Sequence, residues 1–172
     1  TLAPVAPDLL PSVVAADVDR GWLLLRDAGA RLREHPETAG WDAILSRYAE
    51  LQRSAAGRVD ALLAAGVPDV RLAFLPGLYA DLGGRDETLV RELCDELATL
   101  GIPETIQHDD LHDGQVFVRD GSVRILDWGD ACVSHPFMTF AVTSQFVDER
   151  TTDVYLDAWT SVAPHELLRT AL

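Results

Sequence analysis

Residues 106–130 read IQHDDLHDGQVFVRDGSVRILDWGD, and the spacing inside this stretch decides the fold. Thr105-Ile106-Gln107 suits a short strand. It delivers His108, Asp109, Asp110, Leu111, His112, Asp113, Gly114 and Gln115 into a loop. Residues 116–118 and 123–126 suit two more strands, joined by Arg119-Asp120-Gly121-Ser122, where the Asp-Gly pair is a strong hairpin signal. The return strand ends on Asp127-Trp128-Gly129-Asp130. Because a hairpin brings its two ends together, both acidic loops are expected beside one small sheet. So many carboxylates repel one another unless a cation compensates, and oxygen ligands suit Mg²⁺.

Phosphoryl transfer calls for these parts. One Asp orients the attacking hydroxyl and takes its proton, while an amide oxygen and a second Asp hold metal against the phosphates. Kinases space them as an Asp, an amide residue five positions later, and an Asp after the next strand. Asp110, Gln115 and Asp127 stand at those places. His108 precedes Asp110 by two residues, where kinases keep a His that braces the loop. The bland alternative makes Asp110 and Asp127 a solvated acidic surface; the joint match of spacing, residue type and hairpin favours catalysis. A His108–His112 metal pair would need a helix, and a strand enters here.

Around this centre the chain is mainly helical. Residues 11–18 and 21–26 read as a hairpin turning at Asp19-Arg20-Gly21, and Gly29 then breaks the run with access to positive φ. Trp41, Ile44, Leu45, Tyr48, Leu51 and Ala55 recur at helical steps, so 38–65 is expected as one helix stopped by Gly66 and Pro68. Helices are also expected over 70–82, over 86–100 with Asp86 as N-cap, over 136–147, 153–160 and 164–172.

Composition sets the outer bounds. The 172 residues carry 14 Lys+Arg against 28 Asp+Glu, a net charge of −14, which disfavours nucleic acid and anionic membrane surfaces as partners. No apolar run approaches the ~20 residues of a membrane span, and TLAPVAPDLLPSVV lacks the features of a signal peptide, so a cytoplasmic location is expected. All the basic residues are Arg; Lys and Asn are missing altogether, which excludes a P-loop Lys or an Asn metal ligand within the chain. Cys94 and Cys132 fit reduced, structural thiols.

HDDLHDGQ followed by ILDWGD resembles the catalytic and metal loops of the aminoglycoside phosphotransferase / choline kinase-like family, whose pattern is close to H-G-D-L-H-x-G-N, a hairpin, then an apolar residue and D-W or D-F. The resemblance implies an α+β protein-kinase-like fold with a mainly helical C-lobe and a small catalytic hairpin. It implies Asp110 as the base, Asp127 and Gln115 as ligands of Mg²⁺, and ATP or GTP as phosphoryl donor to a small-molecule acceptor. GWLLLRDAG resembles the last N-lobe strand and hinge, where backbone groups of Leu25, Arg26 and Asp27 would meet the nucleotide base. Residues 1–29 then form the end of an N-lobe with its hinge, and 30–172 form the C-lobe. The sequence departs from the family in lacking a Gly-rich loop and Lys before the hinge, in Gln115 for Asn, and in Thr139 where many members carry Asp. The first departure implies a C-terminal piece of a longer kinase, inactive by itself and with a cut apolar edge that favours self-association.

Lesser roles follow. His112 is expected to brace the loop, Asp113 to be solvated, Trp128 to pack, and His135-Pro136 to open a helix. Asp130 either faces substrate or caps the next segment, and Asp27 either touches nucleotide or caps a helix. Two other functions remain open: a metal-dependent phosphohydrolase using His108, Asp109 and Asp127, and a non-catalytic kinase-like binding module.

Overall fold

A computed structural model of the chain describes Ala6 and residues 8–172; part of the stretch read as lacking a signal peptide, residues 1–5 and Pro7, lies outside them. The element order is β1 (Val13–Asp17), β2 (Trp22–Leu25), β3 (Ala30–Arg31), α1 (Trp41–Ala56), α2 (Val59–Ala64), α3 (Leu75–Asp81), α4 (Glu87–Ala98), β4 (Thr105–Gln107), β5 (Val116–Arg119), β6 (Ser122–Ile125), β7 (Cys132–Ser134), α5 (Phe140–Thr143), α6 (Glu149–Asp157) and α7 (His165–Ala171). Short 3-10 turns cover Pro36–Thr38, Trp128–Asp130 and Pro136–Thr139.

The strands form three small antiparallel sheets, β1-β2, β3-β5-β6 and β4-β7. The β5–β6 hairpin closes through Asp120 at φ +51° and Gly121 at φ +73°, the two positive values that a type I′ turn requires. Arg119 pairs with Ser122 and Val116 with Ile125. The ladder runs one step further, Leu126 N–H donating to the Gln115 carbonyl at 2.9 Å. That step sets Gln115 beside the start of the Asp127 loop. Gly29, at φ +99°, runs so close under β5 that a Cβ there would lie 2.2 Å from the Val118 carbonyl oxygen. Only glycine allows the chain after β2 to cross the hairpin at this point.

Helix α1 is the spine of the core. Its Ile44, Leu45, Tyr48, Ala49, Leu51, Gln52 and Ala55 are buried at three- and four-residue steps. They pack with Ile106, Val133, Phe137, Tyr155 and Trp159. Gln52 is a polar member of this face, and each of its groups is used. Its Nε2 donates to the Ile106 and Pro136 carbonyls at 3.2 and 3.4 Å, and its Oε1 accepts from the Tyr155 hydroxyl at 2.7 Å. One glutamine thus ties α1 to β4, to the 3-10 turn at Pro136 and to α6.

Four expectations are corrected. The helix expected over 38–65 breaks at Gly57-Arg58 into α1 and α2, because a glycine at the end of α1 offers no side chain to hold the helical turn. The helix over 70–82 begins only at Leu75, since Asp69 forms a parallel bridge to Val133 and Asp69 holds Arg71 through both carboxylate oxygens. The helix over 136–147 shrinks to a 3-10 turn plus α5. Strands β3 and β7 were not expected at all; both are short and are defined by their partners rather than by alternation. The N-cap at Asp86 is present, accepting from Leu89 N–H at 3.3 Å. Both cysteines are buried and free. Among the described residues no helix is long and apolar enough to cross a membrane.

His135 opens the 3-10 turn as expected, its Nδ1 accepting from Phe137 N–H at 3.3 Å. It is 1% exposed, and burial lowers its pKa from 6.5 to about 4. The folded chain therefore resists a proton that the unfolded chain accepts below about pH 6.5. This contribution is complete above that pH, declines as pH falls, and ceases to change below about pH 4. At pH 5 the loss comes to about 2 kcal/mol relative to pH 7. Urea unfolding at the two pH values measures it, and His135→Gln should show a shallower pH dependence.

Candidate active site

The loop between β4 and β5 is held at several points. His108 is fully buried, and its Nε2 lies 2.6 Å from the Leu126 carbonyl. A carbonyl only accepts, so Nε2 carries the proton and donates. Burial is the largest cause lowering the His108 pKa, which keeps the ring neutral. Trp128 packs edge-on against the ring at 4.9 Å and donates its indole N–H to the Ile125 carbonyl at 2.9 Å. The packing expectation for Trp128 is met. The buried His108 side chain is turned away from solvent, which removes it from the phosphohydrolase arrangement considered above.

His112 sits one turn of loop further on. Its Nδ1 accepts from Gly114 N–H at 2.9 Å, so Nε2 holds the proton of the neutral ring. That Nε2 lies 3.5 Å from Asp110 Oδ2. Gly114 makes the arrangement feasible, because a Cβ there would come within 2.6 Å of His112 Cε1. Asp110 itself is 51% exposed, so one carboxylate edge faces His112 and the rest faces solvent.

Arg33, which no sequence pattern singles out, holds the back of this loop. Its Nε donates to Asp113 Oδ1 at 2.8 Å, and its Nη2 lies 3.1 Å from His112 Nδ1. Its backbone N–H also donates to the Asp113 carbonyl at 3.2 Å. Asp113, expected to be solvated, is instead clamped by this guanidinium, and the clamp fixes the back of the loop. Eighty residues separate Arg33 from Asp113, and no local pattern signals such a pair.

At the far end of the loop, Gln115 Nε2 donates to Asp127 Oδ2 at 2.9 Å. The extra methylene of glutamine relative to asparagine therefore does not prevent contact across the hairpin. Asp127 is exposed and left-handed at φ +64°, and Asp109 is left-handed at φ +72°. Both are non-glycine residues in a region that Asp tolerates better than most. A rotation of the Gln115 amide would present its oxygen in place of its nitrogen. Asp127 and Gln115 then offer two oxygen donors, which fits Mg²⁺, an ion that keeps several waters and completes its shell with phosphate oxygens. Asp130 is exposed in the 3-10 turn after Asp127.

The expected hinge residues lie at the other end of the hairpin. Arg26 N–H donates to the Ser12 carbonyl at 2.8 Å, and Arg119 Nη1 donates to the Asp27 carbonyl at 3.2 Å. Those two groups are thus already used, which narrows the backbone available to a nucleotide base. The Asp27 carboxylate accepts from Gly29 N–H at 3.0 Å and pairs with Arg119 at 3.1 Å, so it caps the turn after β2 rather than a helix. Leu25 ends β2 opposite Val13. Thr139, by contrast, does not face the site: it is fully buried, 3.0 Å from the Tyr48 hydroxyl.

Solved structures with the same fold include macrolide 2′-phosphotransferase MphH from Brachybacterium faecium in its apo form, at TM-score 0.61 and 19% identity, covering 99% of this chain and 66% of that one. They also include an ethanolamine kinase from Plasmodium vivax, at TM-score 0.57 and 12% identity, covering 99% and 59%. A third is the streptomycin–ATP ternary complex of APH(2″)-IIa, at TM-score 0.51 and 16% identity, covering 94% and 64%. The chain thus spans just under two thirds of the length of these structures. No curated protein matches the sequence significantly. The model of the phosphotransferase enzyme family, APH, matches residues 4–167, nearly the whole sequence. The mixed helix-and-sheet fold and the HDDLHDGQ and ILDWGD loops agree with that match, and the chain belongs to the phosphotransferase enzyme family.

Proposed function

We propose that the complete protein transfers the γ-phosphoryl group of ATP or GTP to a hydroxyl of a small molecule, and that this chain supplies the base and the metal-holding side chains. The observation that carries the reading is the 2.9 Å contact between Gln115 and Asp127, which joins the end of the Asp110 loop to the end of the hairpin. Asp110 stands at the other end of that loop with its carboxylate partly in solvent. There it accepts the acceptor's hydroxyl proton as the oxygen bonds to the γ-phosphorus and the bond to the nucleoside diphosphate breaks. His112 Nε2 lies 3.5 Å from one Asp110 oxygen and leaves the other for the acceptor. Mg²⁺ held by Asp127 and Gln115 would neutralise charge on the phosphates.

Hairpin length supports the placement of the nucleotide. Asp27 meets the turn end through Arg119, and Gln115 precedes the opposite end. The four residues of β5 span about 13 Å, the order of an extended nucleoside triphosphate. A base near Arg26 and Asp27 would therefore put the terminal phosphate near Asp127. No Lys exists in the 172 residues to pair the α- and β-phosphates, so that contact is assigned to a preceding N-lobe segment, with residues 1–29 as its end and hinge and 30–172 as the C-lobe. The solvent-facing acidic residues Asp110, Asp127 and Asp130, within a chain of net charge −14, favour a cationic acceptor such as an amino-sugar or amino-alcohol. The reaction is assigned to the cytoplasm.

Asp110→Asn preserves shape and removes the base. Turnover in the complete protein is expected to fall by ~10²–10⁴-fold with nucleotide affinity nearly unchanged. Nucleotide-dependent phosphate transfer to a panel of hydroxylated amines tests this, and an equally active variant would move the base elsewhere.

The two ligands separate under magnesium titration. Asp127→Ala removes the anionic oxygen donor and should abolish Mg-nucleotide binding and turnover together. Gln115→Asn keeps an amide oxygen on the same loop and should retain turnover with an altered magnesium requirement. Normal magnesium dependence in Asp127→Ala would defeat the metal assignment.

A further inference from the structure

Behind the candidate site, the backbone N–H of His108 donates to the Tyr48 hydroxyl at 2.8 Å, and that hydroxyl lies 3.0 Å from Thr139 Oγ1. All three residues are fully buried. Burial pushes the Tyr48 pKa well above its ordinary value, so the phenol keeps its proton. A hydroxyl that accepts the His108 N–H still has its proton and a second lone pair to share with Thr139 Oγ1. The phenol oxygen thus accepts from His108 N–H and shares a second hydrogen bond with Thr139 Oγ1, in which either hydroxyl can donate. Three segments distant in sequence, α1, the end of β4 and the turn after β7, meet at one hydroxyl.

The position of this N–H matters. The β4–β7 pairing ends at Gln107 opposite Cys132, so His108 has left the ladder. Without the phenol its N–H would be buried and unpartnered. The next residue, Asp109, holds φ +72°, a conformation that persists in a non-glycine residue when its surroundings over-determine it. Asp110 follows directly. His108 is therefore pinned on both sides of its Cα, by Tyr48 at its backbone and by Leu126 at its ring, immediately before the strained residue. The hydroxyl is not needed to fill space, since a phenylalanine ring would pack in the same place beside Trp128.

We propose that Tyr48 is a positioning residue whose hydroxyl, aimed by Thr139, fixes the backbone of the Asp110 loop. The consequence for turnover rests on the phosphotransferase reading; the effect on the loop does not.

The test is native-state amide hydrogen exchange, followed by NMR, on the 172-residue chain and its Tyr48→Phe and Thr139→Val variants. Tyr48→Phe deletes one oxygen and should accelerate exchange at His108 and Asp109 by roughly tenfold to a hundredfold beyond any change at Ile106 and Val133. Thr139→Val keeps the phenol but removes its hydroxyl partner, and should give a smaller acceleration at the same amides. It carries the test if Tyr48→Phe does not fold. Unchanged exchange at His108, or acceleration matched at Ile106 and Val133, would overturn the proposal, since a merely structural tyrosine would affect all core amides alike. In the complete protein, Tyr48→Phe should lower kcat with the nucleotide KM unchanged. If the parent protein transfers no phosphoryl group at all, the phosphotransferase reading fails, and the exchange data still decide the role of Tyr48.

Discussion

The hydrogen bond from the buried His108 Nε2 to the Leu126 carbonyl, 2.6 Å long, is the contact on which the site depends. It joins the residue two before Asp110 to the residue one before Asp127. Nothing else in the two loops is buried and bonded at both of these points. The β5–β6 hairpin alone would bring Gln115 near Asp127, but Asp110 would be left on a free loop. A neutral imidazole is needed, because a charged one would have to be desolvated in the core, and burial keeps the ring neutral. Trp128 covers the ring and thereby protects the bond from water.

Three further restraints surround that bond. Arg33 clamps Asp113 and reaches His112, Thr143 Oγ1 donates to the Leu111 carbonyl at 2.8 Å in the core, and Gln115 reaches Asp127. The loop thus has a fixed floor and back, and its carboxylates project outward. Half-exposed Asp110 and exposed Asp127 keep hydration, so neither needs a buried counter-charge to exist in the folded chain. The outward geometry suits the proposed exchange of a charged nucleotide and cation with solvent.

The parts written in local chemistry were legible in the sequence. Asp120-Gly121 specified the hairpin turn because both positions need positive φ. The spacing of Asp110, Gln115 and Asp127 needed only that hairpin to become proximity. Asp86 marked the start of α4. What escaped was non-local. Arg33 lies 79 residues from His112, and Tyr48 sat in a helical stripe that reads as ordinary core. A tyrosine among Ile44, Leu45 and Leu51 does carry one signal, since a buried phenol needs a partner for its hydroxyl. Thr139 read as a departure from the family's Asp, whereas its hydroxyl turns inward to that phenol. Strand β7 was invisible because its three residues are all buried and show no alternation.

The central claim is that the Asp110 loop and Asp127 together form a seat for a divalent cation. Titration of the ¹⁵N-labelled chain with Mn²⁺ tests it most directly, because paramagnetic broadening reports distance from the ion without any need for turnover. The account predicts that the amides of Gln115, Leu126 and Asp127 broaden first, followed by those around Asp110, while the acidic helix α4 broadens only at much higher concentration. Broadening spread evenly over the acidic surface, or concentrated away from Gln115 and Asp127, would contradict it.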